Sequence, residues 1–447
     1  MDALPVASLA RNIPDETLLD DIQRRSSGFF LNAVNRANGL VADSTRPGAP
    51  CSIAALGLAL SLWPAGVERG WMSRGEAQAL TLAALRCLWR APQGPQPDAA
   101  GHKGFFYHFL DMHTGRRAWK SELSTIDTAL LMAGVLAAAQ YFAHDDAAEA
   151  EIRSLAHALY TRVDWRWALN GGATFSHGWR SGRGFLRFRW EGYNEALILY
   201  ILGLGSPSFP VPPESYKAWL STLRWRRVYG REMLHAGPLF VHQLSHIWID
   251  FRDIRDGFMR ARGFDYFGNS RAATRLQRDY AIRNPKGLRA YGENCWGFSA
   301  GDGPGPARRT IGGVERRFHG YAARGVPHGP DDGTLSPWAA MASLPFAPEI
   351  VMPLARHVHR AGAGAGAGAD EGARCRFTAS YNPTWAGTDD LDGGWVSPAL
   401  IGINQGPVVL MIENHRSGFL WRLMRDCAPI VTGLRRAGFS GGWLQGP

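Results

Sequence analysis

Within Trp190-Glu191-Gly192-Tyr193-Asn194-Glu195, two carboxyl groups and two aromatic rings stand directly ahead of the apolar run 196–204. Such a set can serve sugar chemistry. An aromatic face stacks on a pyranose, while a carboxyl beside it, its pKa raised by partial desolvation, protonates a glycosidic oxygen. Acids at a helix start also complement the helix dipole in any protein, so the motif alone leaves a purely structural role open. A second cluster runs from Gly104-Phe105-Phe106-Tyr107-His108 through Trp119 to Glu122 and Asp127, where Ser121 or Ser124 could simply cap a helix. The third holds Trp296, Asp302, Tyr321, Arg324 and the turn-like Asp331-Asp332-Gly333. Separately, His242 and His246 have the spacing of a zinc-binding helix, but Gln243 stands where a metalloprotease needs its glutamate base. His242 is therefore read as a hydrogen-bonding residue, either to the substrate or to a residue that touches it, with no metal and no cofactor expected.

Helical periodicity supplies the elements that would position these clusters. Apolar residues recur at spacings near three, four and seven over 16–35, after the cap candidate Asp15. Similar segments cover 53–63 (capped by Ser52), 73–89, 124–142, 147–163, 193–204, 213–223, 265–282, 334–343, 347–359 and 406–424. A hairpin is expected within 174–188, turning at Gly182-Arg183-Gly184. About a dozen helices without alternating strands suggest helix pairs arranged in a ring or solenoid, whose helix ends gather on one face.

At 447 residues, with 17 Trp spread along its length, the chain reads as one domain spanning 1–447. Only a disordered N-terminal tip and a flexible Gly/Ala loop at 361–369 depart from that pattern. The net charge of +10 comes from scattered arginines, without a stripe or binding motif, which argues against nucleic acid as a partner. Five widely spaced cysteines without a CxxC pair are read as free thiols. Acidic residues in the first 21 positions, without a basic start or apolar core, point to the cytoplasm, or to the periplasm if a leader was removed. No run approaches the roughly 18 apolar residues of a membrane helix. Nothing in the sequence fixes the oligomeric state.

Taken together, the stretches 104–111, 121–131, 190–207, 238–256, 291–304, 321–334, 343–350 and 402–421 resemble the bacterial glycoamylase-like domain. That group includes the endo-β-1,2-glucanases of glycoside hydrolase family 144 and, more remotely, the cyclisation domain of cyclic β-1,2-glucan synthases. Long phrases carry the likeness, such as Ser245-His246-Ile247-Trp248-Ile249-Asp250-Phe251-Arg252 and Leu344-Pro345-Phe346-Ala347-Pro348-Glu349. The resemblance implies an all-α (α/α)6 toroid with its cleft at one end, acting on β-1,2-glucan as a glycosidase or transglycosylase. It implies Glu195 as the general acid and Glu122 as a second cleft acid. Trp119, Asp127, Trp190, Tyr193, His242, Trp248, Trp296, Tyr321, Arg324 and Asn404 are the expected substrate contacts. Asn404 stands where the family pattern has Asp, and an amide cannot take a proton from water. Either Asp332 or Asp302 then supplies the base for inversion, or Glu122 and Glu195 work as a retaining pair about 5 to 5.5 Å apart that can transfer to a sugar acceptor. A carbohydrate-binding protein without catalysis is the reading from another class.

Overall fold

The computed structural model describes residues 13–363, 379–385 and 394–445. The N-terminal tip, most of the Gly/Ala stretch and Cys375 fall outside the described residues. Among the described residues, the helices are α1 Asp15–Asn32, α2 Ile53–Glu68, α3 Arg74–Arg90, α4 Thr125–Tyr141, α5 Ala147–Arg162, α6 Leu197–Gly205 and α7 Pro213–Thr222. They continue with α8 Gly257–Arg260, α9 Tyr266–Arg283, α10 Pro337–Met341, α11 Pro348–Ala363, α12 Gly402–Arg416, α13 Phe419–Arg425 and α14 Ala428–Arg436.

Burial sorts these helices into two rings. An inner helix must be apolar on every side, whereas an outer one needs a single apolar stripe. α2 is buried without a break from Ile53 to Gly66, α4 from Thr125 to Ala138, and α6 and α10 throughout. By contrast, α3, α5 and α7 bury one stripe each. Around the inside, α10 packs on α12, α12 on α2, α2 on α4 and α4 on α6. Two successive 3-10 turns, Leu239–His242 and Leu244–Ile247, close the circuit: the first packs on α10, the second on α12, and Ser245 Oγ accepts from the Ile198 N–H of α6 at 3.1 Å. The result is an (α/α)6 toroid.

Local signals in the sequence account for most boundaries. Ser52, Ser124 and Asp146 cap α2, α4 and α5, and Ser73 with Glu76 forms a full capping box at α3. Close approach of the inner helices relies on glycine. A Cβ on Gly57 of α2 would collide with the α4 backbone at Leu130, and one on Gly134 of α4 with the Gly57 carbonyl.

Four expectations are corrected at element ends. Asp15 is the first residue of α1 rather than its cap, which is Pro14. α6 begins at Leu197, leaving 193–196 as a loop. The segment 406–424 is broken at Gly418, whose positive φ of 67° ends one helix before the next starts. Of 334–343, only Pro337–Met341 is α-helix. The hairpin is present, pairing Gly178–Arg180 with Gly184–Phe185, and Leu123–Ser124 joins it as a third strand. Cys51, Cys87, Cys295 and Cys427 are free thiols, and no described helix is long and apolar enough to cross a membrane.

Candidate active site

The N-terminal ends of α2, α4, α6 and α12 open onto one cavity of about 480 Å³, lined among others by Ser52, Asp127, Glu195 and Asn404. Loops complete it: Asp43 and Arg46 arrive from the segment before α2, Asp302 from the loop after Ala300–Gly301, and Tyr321 from just before the strand Ala322–Ala323 that pairs with Ala300–Gly301. Phe109, Ile126, Leu130, Phe240, Leu244, Trp338 and Ile403 give the cavity apolar walls. A carboxyl enclosed this way loses hydration that the neutral acid does not need, so burial favours the protonated form.

Glu195 shows that effect. Burial raises its carboxyl to about 7 against the hydrogen bond from its own backbone N–H, with the charge of Asp127 adding to the rise. Its main chain is fixed by Ser245 Oγ, which donates to the Glu195 carbonyl at 3.2 Å. Glu191, the other acid of the opening motif, instead accepts from Thr174 Oγ1 at 2.9 Å on an exposed face. The two acids of this motif thus have different surroundings although only three residues separate them.

The other carboxylates in the cavity differ in how they are held. Asp127 accepts from Ser124 Oγ at 2.5 Å and lies 3.7 Å from His108 Nε2. Asp302 is paired with Arg46 and accepts from Ser397 Oγ at 3.1 Å. Asp43, which the sequence did not single out, has its pKa raised by burial, with His108 and Arg46 pulling the other way and Asp127 and Asp302 adding to the rise. Tyr321 is 70% exposed as a whole residue. Its hydroxyl nonetheless sits among these acids, and burial together with Asp43, Asp302, Asp127 and Glu195 pushes it up to about 12. Trp119 is 64% exposed and packs on Phe109, which lines the cavity, their ring centroids 5.0 Å apart.

Glu122 takes a different place from the one expected. It accepts from His108 Nδ1 at 3.0 Å and is not among the cavity-lining residues. That hydrogen bond, working against desolvation, lowers Glu122 to about 2. Burial disfavours charge on His108, but Asp127 and Glu122 outweigh it and raise the imidazole to about 9. The ring is thus an imidazolium at neutral pH, facing the cavity with a carboxylate on each nitrogen.

Several expected substrate contacts are core residues instead. Arg324 and Asp332 form a buried ion pair, each side chain 1% exposed. Arg324 directs its other N–H groups to the carbonyls of Gly301, Asp302, His319 and Gly320, while Asp332 accepts from the backbone N–H groups of His319 and Thr334. Burial opposes its charge, yet Arg324 holds Asp332 below the usual carboxylate range, so it ties down the loop that carries Asp302 and Tyr321 and is no base. Trp248 is fully buried and donates to Ser61 Oγ at 2.9 Å, and Trp296 is 1% exposed in the second core cluster. Trp190 donates to Thr125 Oγ1 at 2.9 Å beneath the site. Tyr193 packs on Tyr266 and His242. None of these residues lines the cavity.

His242 and His246 are likewise buried, on separate 3-10 turns rather than one helix, and burial lowers each to about 3. His242 Nε2 lies 3.2 Å from the Ala236 carbonyl oxygen, and His246 Nε2 3.0 Å from Ser270 Oγ. The described residues with metal-ligand spacing are His144, Asp146 and Glu149. There Arg74 and the His144 N–H engage Glu149, while Asp146 caps α5.

The profile of the glycoamylase family, described as "Putative glucoamylase", matches residues 187–428, more than half of the 447 residues. The chain belongs to that family. It is 27% identical to an exo-β-1,2-glucooligosaccharide sophorohydrolase (non-reducing end) of Parabacteroides distasonis, with 97% of this chain aligned. The chain spans 60% of the length of that curated relative. Among solved structures, a "putative glucoamylase" of Bacteroides uniformis superposes with a TM-score of 0.83 at 28% identity, covering 97% of this chain and 100% of the other. An endo-β-1,2-glucanase of Chitinophaga pinensis, solved with sophorotriose and glucose, gives a TM-score of 0.83 at 23% identity, covering 97% and 100%, and shares the fold.

Proposed function

We propose that this protein is a glycoside hydrolase that cleaves β-1,2-linked gluco-oligosaccharides, with Glu195 as the general acid. The observation that carries the reading is the Glu195 carboxyl, enclosed in the cavity and raised to about 7, so that a neutral acid is available near physiological pH. Protonating the glycosidic oxygen as its bond to the anomeric carbon breaks is the work such a group does, contributing about 10²- to 10⁴-fold. Kinship with the Parabacteroides sophorohydrolase supports the β-1,2 linkage as the substrate class. Trp119, open to solvent and packed on the cavity-lining Phe109, and Tyr321, exposed beside the acids, are the surfaces on which outer and inner sugar rings stack. Retention through Glu122 has little support, because that carboxylate is committed to His108 away from the cavity.

Incubation of linear β-1,2-glucan with the wild type and with Glu195→Gln, followed by chromatography of the released oligosaccharides, tests the assignment. The expected result is turnover by the wild type and a loss of at least about 10²-fold in kcat for the variant, with glucan binding retained. Wild-type rates in Glu195→Gln would reject it.

A further inference from the structure

The family pattern leaves the water-activating base open, because Asn404 cannot serve as one. Four carboxyl groups line the cavity: Asp43, Asp127, Glu195 and Asp302. Two of them are occupied. Asp127 holds Ser124 Oγ and faces the His108 imidazolium, and Asp302 holds Arg46 and Ser397 Oγ. Among the described residues, neither the Glu195 nor the Asp43 carboxyl accepts a hydrogen bond from another residue.

A polar group aimed at the same space accompanies Asp43. Asn404 lines the cavity and is 3% exposed, yet its amide nitrogen finds no acceptor among the described residues. A buried amide donor left this way carries a desolvation penalty that a bound ligand or nucleophile removes. Asp43 and Asn404 are fixed to each other through the main chain. The Gly402 N–H donates to the Asp43 carbonyl at 2.7 Å, the Asp43 N–H to Pro50 at 2.7 Å, and Ser44 bridges to Ile401. Glu195 comes from the start of α6, which is separated from α12 by α2 and α4 along the inner ring.

Resting on the glycosidase reading above, we propose that Asp43 is the general base and that Asn404 orients the nucleophile beside it. The Asp43 carboxylate takes one proton from a water whose oxygen attacks the anomeric carbon, and the Asn404 amide donates to that oxygen. The bond from the anomeric carbon to the glycosidic oxygen breaks as Glu195 delivers its proton to the leaving oxygen. Asp43 ends protonated and Glu195 ionised, and exchange of one proton with solvent restores both. The attack comes from the face opposite the leaving group, so the β linkage yields an α product. Burial, with the charge of Asp127 adding to it, raises the pKa of both Asp43 and Glu195, which makes Asp43 a stronger base than an ordinary aspartate.

Three variants assayed in parallel on linear β-1,2-glucan test this: Asp43→Asn, Asp43→Ala and Glu195→Gln, each checked for folding by circular dichroism. The expected result is a kcat loss of about 10²-fold or more in Asp43→Asn with a wild-type melting profile. Azide should restore turnover in Asp43→Ala but not in Glu195→Gln, releasing an α-glucosyl azide, and wild-type hydrolysis followed by proton NMR should show the α anomer first. Activity of Asp43→Asn within about twofold of wild type, a β anomer formed first, or failure of azide to rescue Asp43→Ala would each overturn the role of Asp43. In those cases a dead Glu195→Gln leaves the glycosidase reading standing. A wild type inert on the glucan overturns both.

Discussion

At the residue scale, function and stability pull Glu195 in opposite directions. Its carboxyl sits at about 7 because the ionised form is poorly solvated in the cavity. As the general acid it must be protonated, so kcat/KM should hold up to about pH 7 and fall tenfold per pH unit beyond it, as a pH–rate profile would show. The folded pKa lies above the unfolded one of about 4.3. Stability from this group is therefore complete below the unfolded value and is lost as pH rises through about 7. Glu195→Gln cannot ionise, and its melting temperature should exceed that of the wild type at pH 8 while turnover is lost. An unshifted profile with no gain in melting temperature would contradict the protonated-acid assignment. The aromatic-and-acid composition of 190–195 was legible in the sequence. The family resemblance already pointed to Glu195 rather than Glu191, and the structure adds their surroundings: Glu195 lines the cavity, whereas Glu191 is bonded to Thr174.

At the element scale, the site depends on inner helices whose N-terminal ends meet within one cavity, and that requires backbones to approach closely. The contact between α2 and α4 is built on Gly57 and Gly134, where a Cβ has no room. Gly134→Ala should therefore destabilise the protein by about 1–3 kcal/mol through overpacking, read as a lower denaturant midpoint. Gly28→Ala in α1, where a Cβ meets nothing within 4 Å, should be neutral or slightly stabilising. Equal effects at the two positions would remove the packing argument. Helix existence and most caps were legible because they follow from periodicity and local hydrogen bonding. The two 3-10 turns carrying His242 and His246 were not: their spacing matches a helix, and only the crowding of α9, α10 and α12 around them shows what they are.

For the whole molecule, the two hydrophobic clusters share elements. α1 places Phe29 and Phe30 in one and Leu18, Leu19 and Ile22 in the other, and α12 divides Val409, Leu410 and Met411 from Val408 and Ile412 in the same way. We read residues 1–447 as one cooperative unit on that basis, and a single calorimetric transition is the expected outcome. Two separated transitions would show that the clusters melt independently.

The sequence by itself determined the helical class, the capped helix starts, the glycoamylase kinship and the importance of the segment around Glu195, because each is written in neighbouring residues or in long matching phrases. Roles across the ring were decided only by the tertiary structure. Arg324, Asp332, Trp248 and Trp296 have the chemistry of sugar-binding residues but are buried in the core, and Glu122 is taken up by His108. Asp43 looks like an ordinary loop acid in the sequence, far from Glu195 and Asn404 along the chain. It joins them because closing the ring brings the loop before α2 against the start of α12, and burial there changes what a carboxylate can do.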